Sequence, residues 1–203
     1  ACRGKVPIVA GGTGLYIDTL VSGTVLSATE DDPIWRERLF AEANELGADA
    51  LHAKLASIDP ESASAIHPNN VKRVVRALEI FYNTGVTKSE LDRRSRKRES
   101  EYDAHTVYII PRERETIYNR IDSRVDVMFD MGLEKEVELL VSKGLRETPT
   151  ASQAIGYKEF YPYFDGLCDI NSVKEAICLN TRHYAKRQLT WFNRKPADEI
   201  IYI

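Results

Sequence analysis

The stretch Val6-Pro7-Ile8-Val9-Ala10-Gly11-Gly12-Thr13-Gly14-Leu15-Tyr16-Ile17 is the part of the sequence that decides the fold. Its apolar run at residues 6–10 is typical of a parallel strand that is buried on both faces. The glycines around Thr13 predict a tight turn, and the apolar pattern from Leu15 predicts a helix. Backbone N–H groups of such a turn lie at the positive end of a helix, which favours a phosphate or diphosphate. Glycine turns also follow strands for steric reasons alone, so both interpretations stay open.

The composition is that of a globular protein, with 43% apolar and 29% charged residues in a chain of 203. No apolar run approaches the roughly 20 residues that span a bilayer, so no membrane partner is expected. The net charge is −3, so any contact with nucleic acid must come from local basic patches. Cys2, Cys168 and Cys178 lack metal-ligand spacing and predict reduced thiols in a cytoplasmic protein, which we expect to be a monomer.

Predicted strands lie near the two ends of the chain, and a strand-poor helical block separates them. Besides residues 6–10, the apolar runs at 105–111 and 200–203 predict strands. The fold class is therefore α/β, with a parallel-sheet core and an all-helical insertion domain. The predicted segments are a partial core at 1–26, the insertion domain at 27–104 and a continued, mostly helical core at 105–203. Because a buried strand cannot stand alone, we expect later segments, or residues before Ala1, to complete the sheet.

The helix that follows Asn69 and Asn70 begins with an unusual charge pattern. Lys72, Arg73 and Arg76 lie in its first two turns, where an exposed cation opposes the helix dipole at a cost of about 0.3–1 kcal/mol. The two asparagines supply a neutral N-cap. A phosphate bound at this end would reverse the sign of the interaction, whereas a tolerated solvent-exposed face explains the same residues without a ligand.

Two arginines mark an amphipathic helix predicted at residues 113–130. Arg120 and Arg124 are spaced i, i+4 and border its apolar stripe, so both project from one side. Such a pair can clamp a diphosphate through bidentate hydrogen bonds, or can pair with a core carboxylate. The sequence favours neither alternative.

The last long helix, predicted from Ser172 to about Asn193, is the most biased segment of the chain. Residues 173–196 contain six basic residues, Lys174, Arg182, Lys186, Arg187, Arg194 and Lys195, and one acidic residue, Glu175. One side of the helix carries His183, Arg187, Thr190, Trp191 and Arg194. Positive charge interleaved with aromatic rings is typical of surfaces that contact RNA and stack on unpaired bases, although Trp191 and Phe192 are equally ordinary core residues.

Several kinds of site have no signature in this sequence. There is no Gly-x-x-x-x-Gly-Lys-Ser/Thr loop, no His/Cys metal cluster and no candidate Ser/His/Asp set. His52 and His183 are interpreted as helix-surface residues. No metal ligand and no carboxylate general base is assigned.

Five ordered motifs together resemble one family. They are Val9-Ala10-Gly11-Gly12-Thr13-Gly14-Leu15-Tyr16-Ile17; Ile66-His67-Pro68-Asn69-Asn70 with Arg73 and Arg76-Ala77-Leu78-Glu79; Arg120-Ile121 with Arg124 and Gly132-Leu133; Ala154-Ile155-Gly156-Tyr157-Lys158-Glu159; and Ala185-Lys186-Arg187-Gln188-Leu189-Thr190-Trp191-Phe192. This set is similar to the tRNA dimethylallyltransferases, or isopentenyl-diphosphate:tRNA transferases, and covers essentially the whole chain.

The resemblance implies a P-loop-type parallel-sheet core, incomplete in this chain, and the transfer of a dimethylallyl group. The donor would be dimethylallyl diphosphate, the acceptor N6 of the adenosine 3′ of a tRNA anticodon, and Mg²⁺ would assist departure of the diphosphate. By position, Arg124 and Thr13 would be catalytic, and the diphosphate would contact Gly11, Gly12, Thr13, Arg120 and Arg124. The tRNA anticodon arm would contact Lys72, Arg73, Arg76, Gln153, Ala154, Ile155, Gly156, Tyr157, Lys158, Lys186, Arg187, Gln188, Thr190, Trp191, Asn193 and Arg194.

The sequence departs from the family pattern in two places. The P-loop and the aspartate general base of the family precede the Gly-Gly-Thr stretch and are not found here, so we expect a C-terminal portion that is inactive alone. Asn193 stands where the family often has arginine, although Arg194 follows directly. The alternatives are a non-catalytic tRNA-binding fragment and a relative of the P-loop nucleotide kinases.

Overall fold

The computed structural model describes residues 4–22, 33–95, 102–194 and 196–203. Its helices in chain order are α1 Gly14–Ser22, α2 Pro33–Leu46, α3 Ala48–Ile58, α4 Pro60–Ala65, α5 Val71–Thr84, α6 Lys88–Ser95, α7 Arg114–Asp130, α8 Leu133–Ser142, α9 Tyr161–Phe164 and α10 Ile170–Phe192. Short 3-10 helices lie at Leu145–Glu147, Ala151–Gln153 and Lys158–Phe160, and the strands are β1 Val107–Ile110 and β2 Glu199–Tyr202. Cys2, Lys195 and the domain boundary predicted at 26/27 lie outside the described residues.

The described residues group into two compact units. One unit takes residues from Ala1–Val9 and Leu15–Ala104, and the other takes Ala10–Gly14 and His105–Ile203. The Gly-Gly-Thr-Gly turn is thus grouped with the second half of the chain, from which it is distant in sequence.

Every secondary-structure element described in the first unit is a helix, and the central element of the unit is α5. This helix packs against α2 and α3, because its apolar side chains recur at helical spacing and form one continuous face. Val74 and Leu78 on this face are fully buried, and Leu39 and Leu55 from the neighbouring helices are each 1% exposed. Gly85 ends α5 with φ +68°, a left-handed conformation that glycine adopts without strain.

A buried carboxylate begins α4 and joins two helices of the first unit. Asp59 accepts hydrogen bonds from the backbone N–H of Ser62 at 3.0 Å and from its hydroxyl at 2.6 Å. It also accepts one from the N–H of Ser89 at 3.0 Å, at the start of α6. The side chain therefore satisfies N–H groups that the helix ends leave without intrahelical partners.

The second unit contains a two-stranded parallel sheet and a helical core. β1 and β2 pair in the register Val107↔Glu199 to Ile110↔Tyr202. The core lies mainly among α7, α8 and α10, where Val125, Val137, Phe160 and Ile177 are at most 2% exposed. The strands predicted at 105–111 and 200–203 and the helix predicted at 113–130 are confirmed.

Two local predictions are wrong. Residues 6–10 form no strand, and the side chains of Val6 and Ile8 are 86% and 90% exposed. A parallel strand needs a hydrogen-bonded neighbour, and no described residue pairs with this run. The last helix begins at Ile170 rather than at Ser172, because the carboxylate of Asp169 accepts the N–H of Ser172 at 2.8 Å and is the N-cap. The structure is therefore rich in helix with a small parallel sheet, and a larger P-loop core stays a prediction.

Candidate functional site

The glycine turn of the opening stretch lies directly against α10. Nε2 of Gln188 donates a hydrogen bond to the carbonyl oxygen of Gly12 at 3.0 Å. A Cβ atom on Gly12 would lie 2.0 Å from this nitrogen, and a Cβ on Gly14 would lie 2.1 Å from two ring atoms of Trp191. The close approach of α10 therefore requires a glycine at position 14, where the neighbour is a rigid ring, whereas a side chain at position 12 would displace the end of Gln188.

The steric explanation does not extend to the other two residues of the turn. A Cβ on Gly11 would meet nothing within 4 Å, and both Gly11 and Thr13 are exposed. These are two of the three turn residues predicted to contact a diphosphate. The turn thus has a packed side, which faces α10, and an open side.

Gln188 and Trp191 were predicted to contact RNA, and the structure places them on the glycine turn. Their spacing of three residues puts them on one face of α10, but nothing in the local pattern indicates which segment covers that face. Trp191 is 38% exposed, so part of its ring remains accessible. The role of these residues toward RNA stays a prediction.

Arg120 and Arg124 of α7 are exposed, and the acidic residues near them are paired. Within the described part of the chain, neither Arg120 nor Arg124 has a carboxylate at ion-pair distance. Arg120 lines an open groove of about 400 Å³ on this side of α7. The alternative of a core carboxylate partner is thus not realised among these residues, and a clamp for diphosphate stays a prediction.

Ion pairs join the acidic residues of α7 to α10. Nη2 of Arg182 lies 2.6 Å from Oδ2 of Asp122, and Lys174 pairs with Asp126. The hydrogen bond from Arg182 holds the pKa of Asp122 below its ordinary value, and the bond with Asp126 raises the pKa of Lys174. These pairs account for two of the basic residues that made α10 look biased toward nucleic acid.

A second, smaller groove lies between α7 and α10. Its volume is about 150 Å³, and its polar lining includes Arg114, Arg182, Lys186, Thr190 and Asn193. Lys186, Thr190 and Asn193 were predicted to contact RNA, whereas Arg114 and Arg182 were not. The sequence could have indicated Arg114, because it is a cation in the first turn of a helix, which is the feature that drew attention to Lys72 and Arg73.

The remaining basic residues of α10 differ in their surroundings. The guanidinium carbon of Arg187 lies 5.7 Å from the centre of the Tyr184 ring, and Arg194 is exposed just beyond the helix. Phe192 packs edge-on against Tyr108 of β1, with ring centroids 5.0 Å apart. Phe192 is thus half-buried against β1 and lies outside the buried core, whereas Arg194 is open to a ligand.

The turn that contains Gln153, Ala154, Ile155, Gly156, Tyr157 and Lys158 is held by specific polar contacts. Gly156 has φ +96°, and its N–H donates to Oε2 of Glu159 at 2.8 Å. The hydroxyl of Tyr157 donates to Glu136 at 2.6 Å, and this bond raises the pKa of Tyr157. Gln153 is exposed, so the turn presents at least one polar side chain to solvent.

The basic residues of α5 fall into two groups. Lys72 and Arg73 are exposed, whereas Nη1 of Arg76 lies 3.0 Å from the fully buried carboxylate of Glu79. Arg36 pairs with the other oxygen of Glu79 at 2.7 Å. Arg76 is thus partly explained by an ion pair that the sequence analysis missed.

Two further predictions about polar residues of the first unit are corrected. Asn70 is the N-cap of α5, but its side chain makes no capping hydrogen bond. Nε2 of His52 lies 3.0 Å and 2.9 Å from the carbonyl oxygens of Ala63 and Ile66, so this histidine stabilises the end of α4 rather than lying free on a surface. Backbone acceptors of this kind have no signal in the sequence.

Neither a metal cluster nor a membrane-spanning segment is found in residues 4–22, 33–95, 102–194 and 196–203. These residues contain no group of three or more His, Cys, Asp or Glu side chains that could hold a metal ion. None of their helices is both long and apolar enough to cross a bilayer. Cys168 and Cys178 are free thiols.

Comparison with known families identifies the class of protein. The model of the IPP transferase family matches residues 1–195, so the chain belongs to that family. The tRNA dimethylallyltransferase of Bacillus subtilis (strain 168) is 47% identical over 195 residues, which are 96% of this chain and 61% of that protein. The tRNA dimethylallyltransferase of Geobacillus thermodenitrificans (strain NG80-2) is 46% identical over 199 residues, 98% of this chain and 62% of that protein. The resemblance seen in the motifs is confirmed.

Solved structures agree with this assignment. The full-length tRNA isopentenylpyrophosphate transferase of Bacillus halodurans is 40% identical, with a TM-score of 0.59 over 99% of this chain and 60% of that one. A eukaryotic dimethylallyltransferase, described as acting on tRNA, is 32% identical with a TM-score of 0.73 over 94% of this chain and 48% of that one. The chain thus spans about 61% of the length of the Bacillus subtilis relative.

Proposed function

We propose that this chain is part of a tRNA prenyltransferase that transfers a dimethylallyl group from dimethylallyl diphosphate to N6 of the adenosine 3′ of the anticodon. In this reaction the bond between N6 and the allylic carbon forms, the carbon–oxygen bond to diphosphate breaks, and N6 loses a proton. Membership of the IPP transferase family supports this assignment. The observation that carries it is the exposed pair Arg120 and Arg124, which lack carboxylate partners in the described part of the chain.

The pair is suited to a leaving diphosphate. Each guanidinium presents N–H donors in a fork that matches two phosphate oxygens. Charge accumulates on the diphosphate as the carbon–oxygen bond breaks, so a positioned cation stabilises the transition state more than the ground state. Arg124 and Thr13 are proposed as catalytic residues, and Gly11, Gly12 and Arg120 as further contacts to the diphosphate.

The proposed RNA contacts lie on three elements. In α10 and just beyond it they are Lys186, Arg187, Gln188, Thr190, Trp191, Asn193 and Arg194. In the turn before α9 they are Gln153, Ala154, Ile155, Gly156, Tyr157 and Lys158, and in α5 they are Lys72, Arg73 and Arg76. Basic side chains bind the phosphate backbone, and aromatic rings can stack on an unpaired base. Because enzymes that act on a base take it out of the stack into a pocket, the target base would be flipped out.

Mg²⁺ is implied by the reaction class, and it usually binds one or two carboxylates together with the phosphates of the substrate. The described residues contain no group of three or more side chains able to hold a metal ion. No residue of the described part of the chain is proposed here as a metal ligand or as the proton acceptor. The chain's own side chains are proposed to bind diphosphate and RNA, with Arg124 and Thr13 as the catalytic residues.

Diphosphate binding tests the proposal most directly. The affinity of the 203-residue chain for inorganic diphosphate is measured by calorimetry for the wild type, Arg124→Ala and Lys135→Ala. Lys135 is exposed on α8, and its variant loses the same charge outside the proposed site. We expect Arg124→Ala to bind about 10–100-fold more weakly, since a hydrogen bond to a charged group contributes about 1.5–3 kcal/mol. Equal affinities of the two variants would contradict the proposal.

RNA binding distinguishes the proposal from its alternatives. The chain is titrated with an anticodon stem–loop at several salt concentrations, and prenyl transfer from labelled dimethylallyl diphosphate is measured in parallel. A prenyltransferase portion should bind both the RNA and the diphosphate. A purely RNA-binding fragment would bind the stem–loop with the usual salt dependence and ignore the diphosphate. A nucleotide kinase relative would bind ATP in preference to either.

A further inference from the structure

Glu159 is a buried carboxylate that connects the turn at residues 153–158 to α10. The residue is 7% exposed. Its Oε2 accepts the backbone N–H of Gly156 at 2.8 Å, and its Oε1 accepts Nδ2 of Asn180 at 2.7 Å. Both oxygens are therefore used, one by the turn and the other by the middle of α10.

The backbone around this contact has little conformational freedom left. Gly156 holds φ +96°, which residues with a side chain adopt only under strain. Before the turn, Ser152 is buried, its N–H donates to the hydroxyl oxygen of Thr148 at 3.0 Å, and its carbonyl oxygen accepts the hydroxyl of Tyr161 at 3.1 Å. Glu159 supplies the acceptor for the N–H of Gly156.

A carboxylate at this buried position is energetically unfavourable compared with an apolar side chain. Burial of a charged group costs free energy unless it is hydrogen-bonded, and an apolar side chain of similar size often stabilises a fold as well or better. The neighbouring Phe160 is completely buried and already fills the core at this point. The carboxylate holds the orientation of the turn, because it accepts the Gly156 N–H on one side and the Asn180 amide of α10 on the other.

We propose that Glu159 and Asn180 are positioning residues that hold the 153–158 turn in one conformation on α10, ready to receive the RNA. This inference rests on the proposed function, since it assigns the turn and α10 to the same RNA-binding surface. A turn that is already ordered avoids the entropic cost of ordering upon binding. Neither side chain needs to touch the RNA itself.

Four variants test the assignment in the full 203-residue chain. Asn180→Ala removes one of the two contacts at a half-buried position and is expected to leave the fold intact. Glu159→Ala removes both contacts, whereas Glu159→Gln keeps the acceptor for Gly156 and allows the Asn180 amide to rotate and donate or accept as needed. Glu175→Ala, at an exposed position of the same helix, is the matched control.

The readouts are affinity for an anticodon stem–loop, affinity for inorganic diphosphate and hydrogen exchange of the Gly156 amide. If the turn of the alanine variants populates the bound conformation about a tenth of the time, Asn180→Ala and Glu159→Ala should bind RNA about tenfold more weakly than the wild type. Their diphosphate affinity should stay unchanged, the Gly156 amide should exchange faster, and Glu159→Gln should restore RNA affinity.

Two results would overturn the assignment. Wild-type affinity for RNA in both alanine variants, together with faster exchange at Gly156, would show that the order of the turn does not matter for binding. An equal loss of RNA and diphosphate affinity would show a general loss of structure instead. Failure of the wild-type chain to bind the stem–loop would refute the proposed function, and this outcome is distinct from both.

Discussion

The contact between Gly14 and Trp191 predicts a graded response to adding one methyl group at each glycine of the turn. In Gly14→Ala the new Cβ would lie 2.1 Å from Cδ1 and Nε1 of Trp191 and 2.7 Å from Cγ. Since these distances are far below van der Waals contact and the indole ring is rigid, the ring or the turn must move by about 1 Å. Overpacking of this kind costs about 1–3 kcal/mol.

Two opposing terms set the net effect. Alanine reduces the freedom of the unfolded chain and so stabilises by about 0.4–1 kcal/mol where the backbone is compatible, which applies because Gly14 does not have a positive φ. We therefore expect Gly14→Ala to lower the free energy of unfolding by about 1–2 kcal/mol. Gly11→Ala should be neutral or slightly stabilising, because nothing lies within 4 Å of its Cβ.

Gly12→Ala should fall between these two variants. Its Cβ would lie 2.0 Å from Nε2 of Gln188, but the end of a glutamine side chain can rotate away. The cost is then the lost hydrogen bond to the Gly12 carbonyl, about 0.5–1.5 kcal/mol, less the gain in the unfolded state.

Urea unfolding followed by the fluorescence of Trp191 measures this series, in a Trp35→Phe background that leaves one tryptophan. The expected order of stability is Gly11→Ala, then Gly12→Ala, then Gly14→Ala. If Gly14→Ala were as stable as Gly11→Ala, α10 would not pack on the turn, and the steric account of these glycines would be refuted.

Three further predictions concern buried or paired carboxylates. Burial alone would raise the pKa of Asp59, but the hydrogen bonds from Ser62 and Ser89 outweigh it and lower the pKa below 3.8. The ionised carboxylate therefore stabilises the fold above that value, and this stabilisation is lost as the pH falls through the lowered pKa. The loss of unfolding free energy caused by Asp59→Asn should accordingly become smaller in acid. Replacing Arg36 and Arg76, which pair with Glu79, by alanine should lower the free energy of unfolding by about 3–5 kcal/mol, since it leaves a buried charge without a partner. Adding Glu79→Leu to this double variant should recover part of the loss in urea unfolding. No recovery would contradict the account. Because the hydrogen bond from Arg182 lowers the pKa of Asp122, Asp122→Asn should reduce the melting temperature more at neutral pH than in strong acid, and an equal reduction would count against the pair.

Much of the local structure could be predicted from the sequence, because it depends on short-range patterns. The apolar stripe of α7 and the apolar runs of β1 and β2 express helical and strand periodicity within a few residues, and all three elements are present. Helix α10 was predicted to begin at Ser172 but begins at Ile170. Asp169 and Ser172 are both favourable N-cap residues, and the local sequence does not show which of the two is used.

The candidate site was predicted less completely, because its polar partners are remote in sequence. The resemblance identified the glycine turn, Arg124 and the basic face of α10 as one set of motifs. It did not indicate that Arg76 pairs with a buried glutamate or that Asp122 neutralises Arg182. Charge counts along a helix overstate the charge available to a ligand whenever such partners come from another helix.

The sequence by itself determined the family, the helical character of the central block and the residues to consider for diphosphate and RNA binding, since these depend on residue identity and order. Only the tertiary structure showed which contacts Gly12 and Gly14 of the opening stretch make. Gly12 and Gln188 are 176 positions apart and share a hydrogen bond, and Gly14 accommodates the ring of Trp191. A contact of this kind depends on how helices pack, and packing is a property of the whole folded unit that no local pattern contains.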